Sequence, residues 1–181
     1  MKKILLAGLL TAVTLSLSAC GGGGSGGTVT LPAPTTAVLK LSTVAKAGQA
    51  PQAAGLELTV LLPAGVTVKT VTASKQTASG VLNYSGNVAF SNITTQLFPR
   101  PLFGLYSASA VASGKNAVKI QIASGSATFG AGEFATLTCN IGAGTSVTAT
   151  DFHLTGFLAG GSGGTDITAQ FDSPTFTASF K

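Results

Sequence analysis

From Leu56 to the last residues the chain alternates apolar and polar positions with a period of two. Leu56, Leu58, Val60 and Leu62 alternate with Glu57, Thr59 and Leu61. Val118, Ile120 and Ile122 alternate with Lys119 and Gln121, and Ala135, Leu137, Cys139 and Ile141 with Thr136, Thr138 and Asn140. The same pattern sets Phe152, Leu154, Gly156 and Leu158 against Asp151, His153, Thr155 and Phe157. It sets Ile167, Ala169 and Phe171 against Thr168 and Gln170, and ends on Phe176, Ala178 and Phe180. Successive strand side chains point to opposite faces, so each segment predicts a strand with one face in the core and one in water. Gly, Pro, Asn and Ser separate the segments, as hairpin and crossover turns require. An all-β jelly-roll sandwich of about nine strands is the architecture such a series predicts.

The first residues follow a different pattern. Lys2 and Lys3 precede an uncharged apolar run from Ile4 to Leu17. That run falls short of the about 20 apolar residues that a membrane-spanning helix needs. It ends in Leu17-Ser18-Ala19-Cys20, and Gly21 to Gly24 follow at once. Basic start, apolar core and small residues before a cut are the parts of an exported signal peptide. With its terminal Cys this one resembles a bacterial lipoprotein signal with a lipobox. The resemblance implies cleavage before Cys20, a diacylglyceryl group on its sulfur, and acylation of the new amine by a fatty acid such as palmitate. Stable anchoring takes at least two lipid signals, and this arrangement supplies them. Gly21 in place of Asp implies sorting to the outer membrane. The domain plan is then a signal peptide over 1–19, the lipidated Cys20 and a Gly-rich tether over 20–35, and a β-sandwich over 36–181. A flexible tether from Gly21 to Thr36 reaches roughly 20–24 Å.

Composition narrows the function classes. Charged residues make up 8% of the chain, against about 25% in ordinary soluble domains. Loss of Lys2 and Lys3 with the signal lowers the net charge of +5 by two. The remaining lysines are scattered and Arg100 is the one arginine. Nucleic-acid binders cluster their cations on a face or stripe, so no nucleic-acid partner is expected. With Cys20 lipidated, Cys139 has no second thiol to pair with in the chain.

The stretch Gly55-Leu-Glu-Leu-Thr-Val-Leu-Leu-Pro-Ala-Gly-Val-Thr-Val68, followed by Gly132-Glu-Phe-Ala-Thr-Leu-Thr-Cys-Asn-Ile141 and Asp151-Phe-His-Leu-Thr-Gly-Phe157, resembles a cohesin-type domain. The resemblance covers roughly residues 36–181. It implies a nine-stranded sandwich, a fold shared with carbohydrate-binding modules, and non-catalytic binding of a protein partner through one sheet face. A polysaccharide ligand, or a structural role in an envelope complex, is the alternative. The block that usually follows the family's early strand is replaced by Leu62-Pro-Ala-Gly65 and Val66-Thr-Val68, so no dockerin-contacting residue carries over and a dockerin-like partner is doubtful.

The chemistry-bearing residues fall short of a catalytic set. Cys139 shares its alternation with Leu137 and Ile141, which predicts a buried, inert thiol. His153 shares its face with Asp151, Thr155 and Phe157, without a nucleophile at a spacing that completes a triad. A structural zinc site needs about four ligands, and none is expected here. Glu57 and Glu133 lie on different strands, and nothing in their spacing sets them about 5–9.5 Å apart across a glycosidic bond. Gly160-Gly-Ser-Gly-Gly164 before Asp166 matches no phosphate fingerprint and has one carboxylate where a calcium loop has several. No catalysis, cofactor or metal is therefore expected. The candidate binding loop is Leu97 to Phe103, where Pro99 and Pro101 bracket Arg100. Phe98, Phe103 and the nearby Tyr106 add the aromatic area favoured at interfaces.

Overall fold

The computed structural model describes residues 32–85, 102–107, 116–123 and 128–181, and for Phe103 the backbone alone. Pro32–Lys181 forms one compact unit. Nine strands are present among the described residues: β1 (Thr36–Thr43), β2 (Gly55–Leu62), β3 (Val66–Thr67), β4 (Leu82–Tyr84), β5 (Leu102–Ser107), β6 (Asn116–Ala123), β7 (Gly132–Ile141), β8 (His153–Gly160) and β9 (Thr175–Phe180). They build two antiparallel sheets. One runs β5-β6-β2-β8; the other runs β3-β7-β1-β9, with β4 also paired to β7. The expected all-β sandwich is the fold.

Alternation explains the packing. In β1, Ala37, Leu39 and Leu41 are fully buried, and in β2 Leu58, Val60 and Leu62 are. Ile120, Leu137 and Cys139 join them in one core cluster. Tyr84, on β4 of one sheet, comes within hydrogen-bonding reach of the Leu102 backbone on β5 of the other. That contact closes the β4/β5 side of the sandwich.

Two departures from regular alternation matter. In β7 the register against β1 slips between Leu41 and Ser42. The extra residue is Phe134, which is buried beside Ala135, so two consecutive side chains enter the core. In β8 the register against β2 slips between Glu57 and Thr59. Gly156 and Phe157 there stand against Leu58 alone, and Gly156 takes φ +64°, where glycine has no Cβ to clash.

This second bulge overturns the phase expected for β8. Phe157 was expected to face outward with His153, and Leu158 inward. Instead Phe157 packs against the core and meets Phe171 edge-on at 5.7 Å, while Leu158 is 55% exposed. Asp151 also leaves the strand. It sits in the 3-10 turn Ala149–Asp151, where Thr148 donates to its Oδ2 from both N and Oγ1 at 2.8 Å.

The strand expected over Ile167 to Phe171 is a 3-10 turn, Thr168–Gln170. Asp166 Oδ1 accepts from the Thr168 backbone N–H at 2.8 Å, and Thr168 Oγ1 accepts from Ala159 N at 2.8 Å. Side chains that bond nearby backbone offer it an alternative to the ladder. The preceding glycine loop folds tightly too, with Gly161 N donating to Thr165 O at 2.7 Å.

Candidate functional site

The outer face of the β5-β6-β2-β8 sheet gathers most of the chemistry the sheets offer. Register sets three rows across it. The first is Phe103, Gln121, Glu57 and Leu158; the second is Leu105, Lys119, Thr59 and Thr155; the third is Ser107, Ala117, Leu61 and His153. Neighbouring strands lie about 4.8 Å apart, so the residues of one row are cross-strand neighbours.

Glu57 is the hub. Its Oε1 lies 2.7 Å from Lys119 Nζ, and its Oε2 accepts from Gln121 Nε2. Lys119 beside it holds the Glu57 carboxyl below the ordinary glutamate value; partial burial opposes this, and Gln121 reinforces it. The carboxylate is thus ionised and oriented at neutral pH. Its ion pair is open to water, with Lys119 45% and Glu57 27% exposed. A pair of this kind fixes geometry more than it stabilises the fold.

Two large apolar side chains flank the hub. Leu158 stands at one end of the Glu57 row and Leu105, 38% exposed, at the β5 end of the Lys119 row. Between β6, β2 and β8 lies a shallow depression of about 310 Å³, bordered by Gly55, Glu57, Gln121, Ala123, Leu158 and Gly160. At its rim Gly55 lets the backbones pack closely, since an added Cβ would lie 3.0 Å from Ile122 O.

The other residues singled out by sequence do not assemble into a reactive site. Cys139 is fully buried, and burial pushes its thiol up to about 12. His153 is exposed at the start of β8. Glu133 lies in the other sheet from Glu57 and accepts from Ser85 Oγ. Among the described residues no three of His, Cys, Asp and Glu come together to hold a metal ion. Of the candidate loop, Phe98 and Arg100 lie outside the described residues, as does Cys20. Tyr106 is a β5 residue paired with Val118 and half-buried against the core, not part of a surface loop. Phe103 has its backbone opposite Gln121.

Sequence reasoning missed Leu105 and Leu158. For Leu158 there was a signal. A glycine inside a strand pattern marks a bulge, and a bulge at Gly156 reverses the faces of the residues after it.

The site and fold define an all-β sandwich with a mixed apolar and charged sheet face. No protein-family model, curated protein or solved structure matches the chain. No helix among the described residues is long and apolar enough to cross a membrane.

Proposed function

We propose that this chain is a lipid-anchored envelope protein whose cohesin-like sandwich binds a protein partner, without catalysis, through the outer face of β5-β6-β2-β8. The observation that carries this reading is the placement of Leu105 and Leu158 on that face, flanking the Glu57–Lys119–Gln121 group. Exposed leucines offer a partner apolar area to bury, and the oriented ion pair between them offers it a charge pattern to complement. Sugar-binding surfaces stack aromatic rings, and the large apolar side chains exposed among the described residues are Val44, Val71, Leu105 and Leu158.

Pull-down from the native cell surface tests the face. Wild-type protein should retain a defined protein, and Leu158→Asp or Lys119→Glu should release it without changing the melting temperature by more than a degree or two. Equal recovery with all three proteins would remove this face from consideration. The anchor has a separate test. Radiolabelled palmitate should enter the wild type and not Cys20→Ala; labelling that survives the change refutes lipidation at Cys20.

A polysaccharide ligand is the second reading. It is favoured by the outer face of the other sheet, where Thr36, Thr136, Thr138, Thr177, Ser179 and Asn140 form a hydroxyl- and amide-rich surface. Glycan arrays and insoluble-polysaccharide binding decide it, and uniformly flat results eliminate it.

A further inference from the structure

The sheet edges differ in how they are guarded. On the β5 edge, Tyr106 N donates to Lys75 O at 3.0 Å and Thr77 N to Gly104 O at 2.9 Å, so residues 75–77 cover it. The β8 edge is broken by the Gly156 bulge, and Ile167 N donates to Ala159 O at 2.9 Å. β3 and β4 are two and three residues long. Covering, bulging and shortening are the usual defences of a sheet edge.

β9 has none of them. It is six residues of extended chain, Thr-Phe-Thr-Ala-Ser-Phe, and carries no proline, bulge or charge. Thr36 and Lys181 exchange both backbone hydrogen bonds at 2.9 Å. From that pair the register places Ser179, Thr177 and Thr175 with their N–H and C=O toward β1. The N–H and C=O of Phe176, Ala178 and Phe180 therefore point to the open edge, and no backbone hydrogen bond joins them to another described residue there.

The side chains on this edge are self-complementary. Phe176, Ala178 and Phe180 lie on the core side, opposite Leu41, Leu39 and Ala37, and remain half-buried. Phe176 meets Phe152 edge-on at 6.3 Å. A twofold axis through Ala178 sets Ala178 against its own copy and Phe176 against Phe180 of the second copy, twice. All the free edge groups then pair at once. Small residues meet at the axis, where space is least, and aromatic cross-strand pairs flank them. Lys181 falls opposite Thr175, so no like charges oppose each other.

We propose that β9 pairs antiparallel with β9 of a second copy of this chain, about a twofold axis at Ala178, joining the two five-stranded sheets into one. The contact is isologous, so it closes at a dimer instead of growing into a fibre. It leaves the outer face of β5-β6-β2-β8 free and does not depend on what that face binds.

Sedimentation of the full-length chain in mild detergent tests it. The wild type should show a reversible, concentration-dependent dimer. Ala178→Pro removes an N–H that faces the open edge and leaves the bonds to β1 intact. It should weaken the dimer about tenfold or more, since the two central hydrogen bonds are lost together. Should the proline disturb folding, Ala178→Cys decides instead. Hydrogen-bonded antiparallel pairs have Cα atoms about 5.5 Å apart, within disulfide range. Ala178→Cys should therefore cross-link copies under oxidation well beyond the wild-type background, and Thr177→Cys should not. A monomer at every concentration overturns the proposal. So does a dimer that a folded Ala178→Pro leaves equally tight, or equal cross-linking at 177 and 178.

Discussion

Cys139 pairs with Ala37 in the β1–β7 ladder and is sealed in the core among Leu39 and Leu137. Low polarity disfavours a thiolate, so its thiol titrates at about 12, up from 9. Burial likewise pushes the Tyr84 hydroxyl from 10 to about 12. Both groups keep their protons in the folded state at pH values where the unfolded chain has lost them. Stability is then level below about pH 9 and falls as pH rises toward 12, first through Cys139 and then through Tyr84. Chemical denaturation in steps from pH 7 to 11 should show this decline, and Cys139→Ala should flatten its first part. Cys139→Ser buries a hydroxyl among apolar groups and should cost about 1–3 kcal/mol. Glu57 has the opposite sign. Its lowered value contributes stability above the ordinary glutamate range, lost as pH falls through the folded value. Because the pair is exposed, Glu57→Gln should change stability by less than about 1 kcal/mol while weakening any partner that reads the Glu57–Lys119 geometry.

Elements were legible in the sequence where the side-chain pattern alone decides them. β2, β6, β7 and β9 follow the alternation of Leu, Ile and Phe because each buries one face against the opposite sheet. The pattern failed where a local interaction competes with the ladder. Thr168 bonds to Asp166 and Ala159, which turns the chain after β8 into a 3-10 turn. At Gly156 one additional residue reverses the phase of β8, so regular alternation puts Phe157 on the face of His153 and Leu158 in the core, the opposite of where they lie. Of the site, the polar residues Glu57, Lys119 and Gln121 were readable as outward positions; their convergence through pairing of β2 with β6 needed the register. Gly156→Ala places a Cβ in the left-handed region and should cost about 1–2 kcal/mol. Gly65→Ala should be worse. Gly65 has φ +77°, and an added Cβ would come within van der Waals overlap of the Thr145 side chain. Thermal melts of both variants measure the difference.

At the scale of the molecule, stability comes from one core between two sheets, and the cysteine among the described residues is unpaired. Leu58→Ala, at a fully buried position in the middle of β2, should cost about 2–5 kcal/mol and broaden or abolish cooperative melting. The candidate face belongs to one sheet, and the chain at Thr35 and Thr36 enters the other. Thr35 N and Thr36 N both donate to Lys181 O, at 2.7 and 2.9 Å, and Ile141 N donates to Thr35 O at 2.8 Å. The entering chain is therefore stitched to β7 and β9 before its first strand is complete. A pull applied at Pro32 and resisted at Gly132, the far end of β7, runs along β1, a strand held on both flanks. Its ladders must slide together instead of opening one bond at a time. Forced extension is governed by the unfolding rate, and such shear loading slows that rate. The same sandwich pulled between Pro32 and Lys181 would peel β9 from β1 bond by bond, so its mechanical strength depends on the direction of the load.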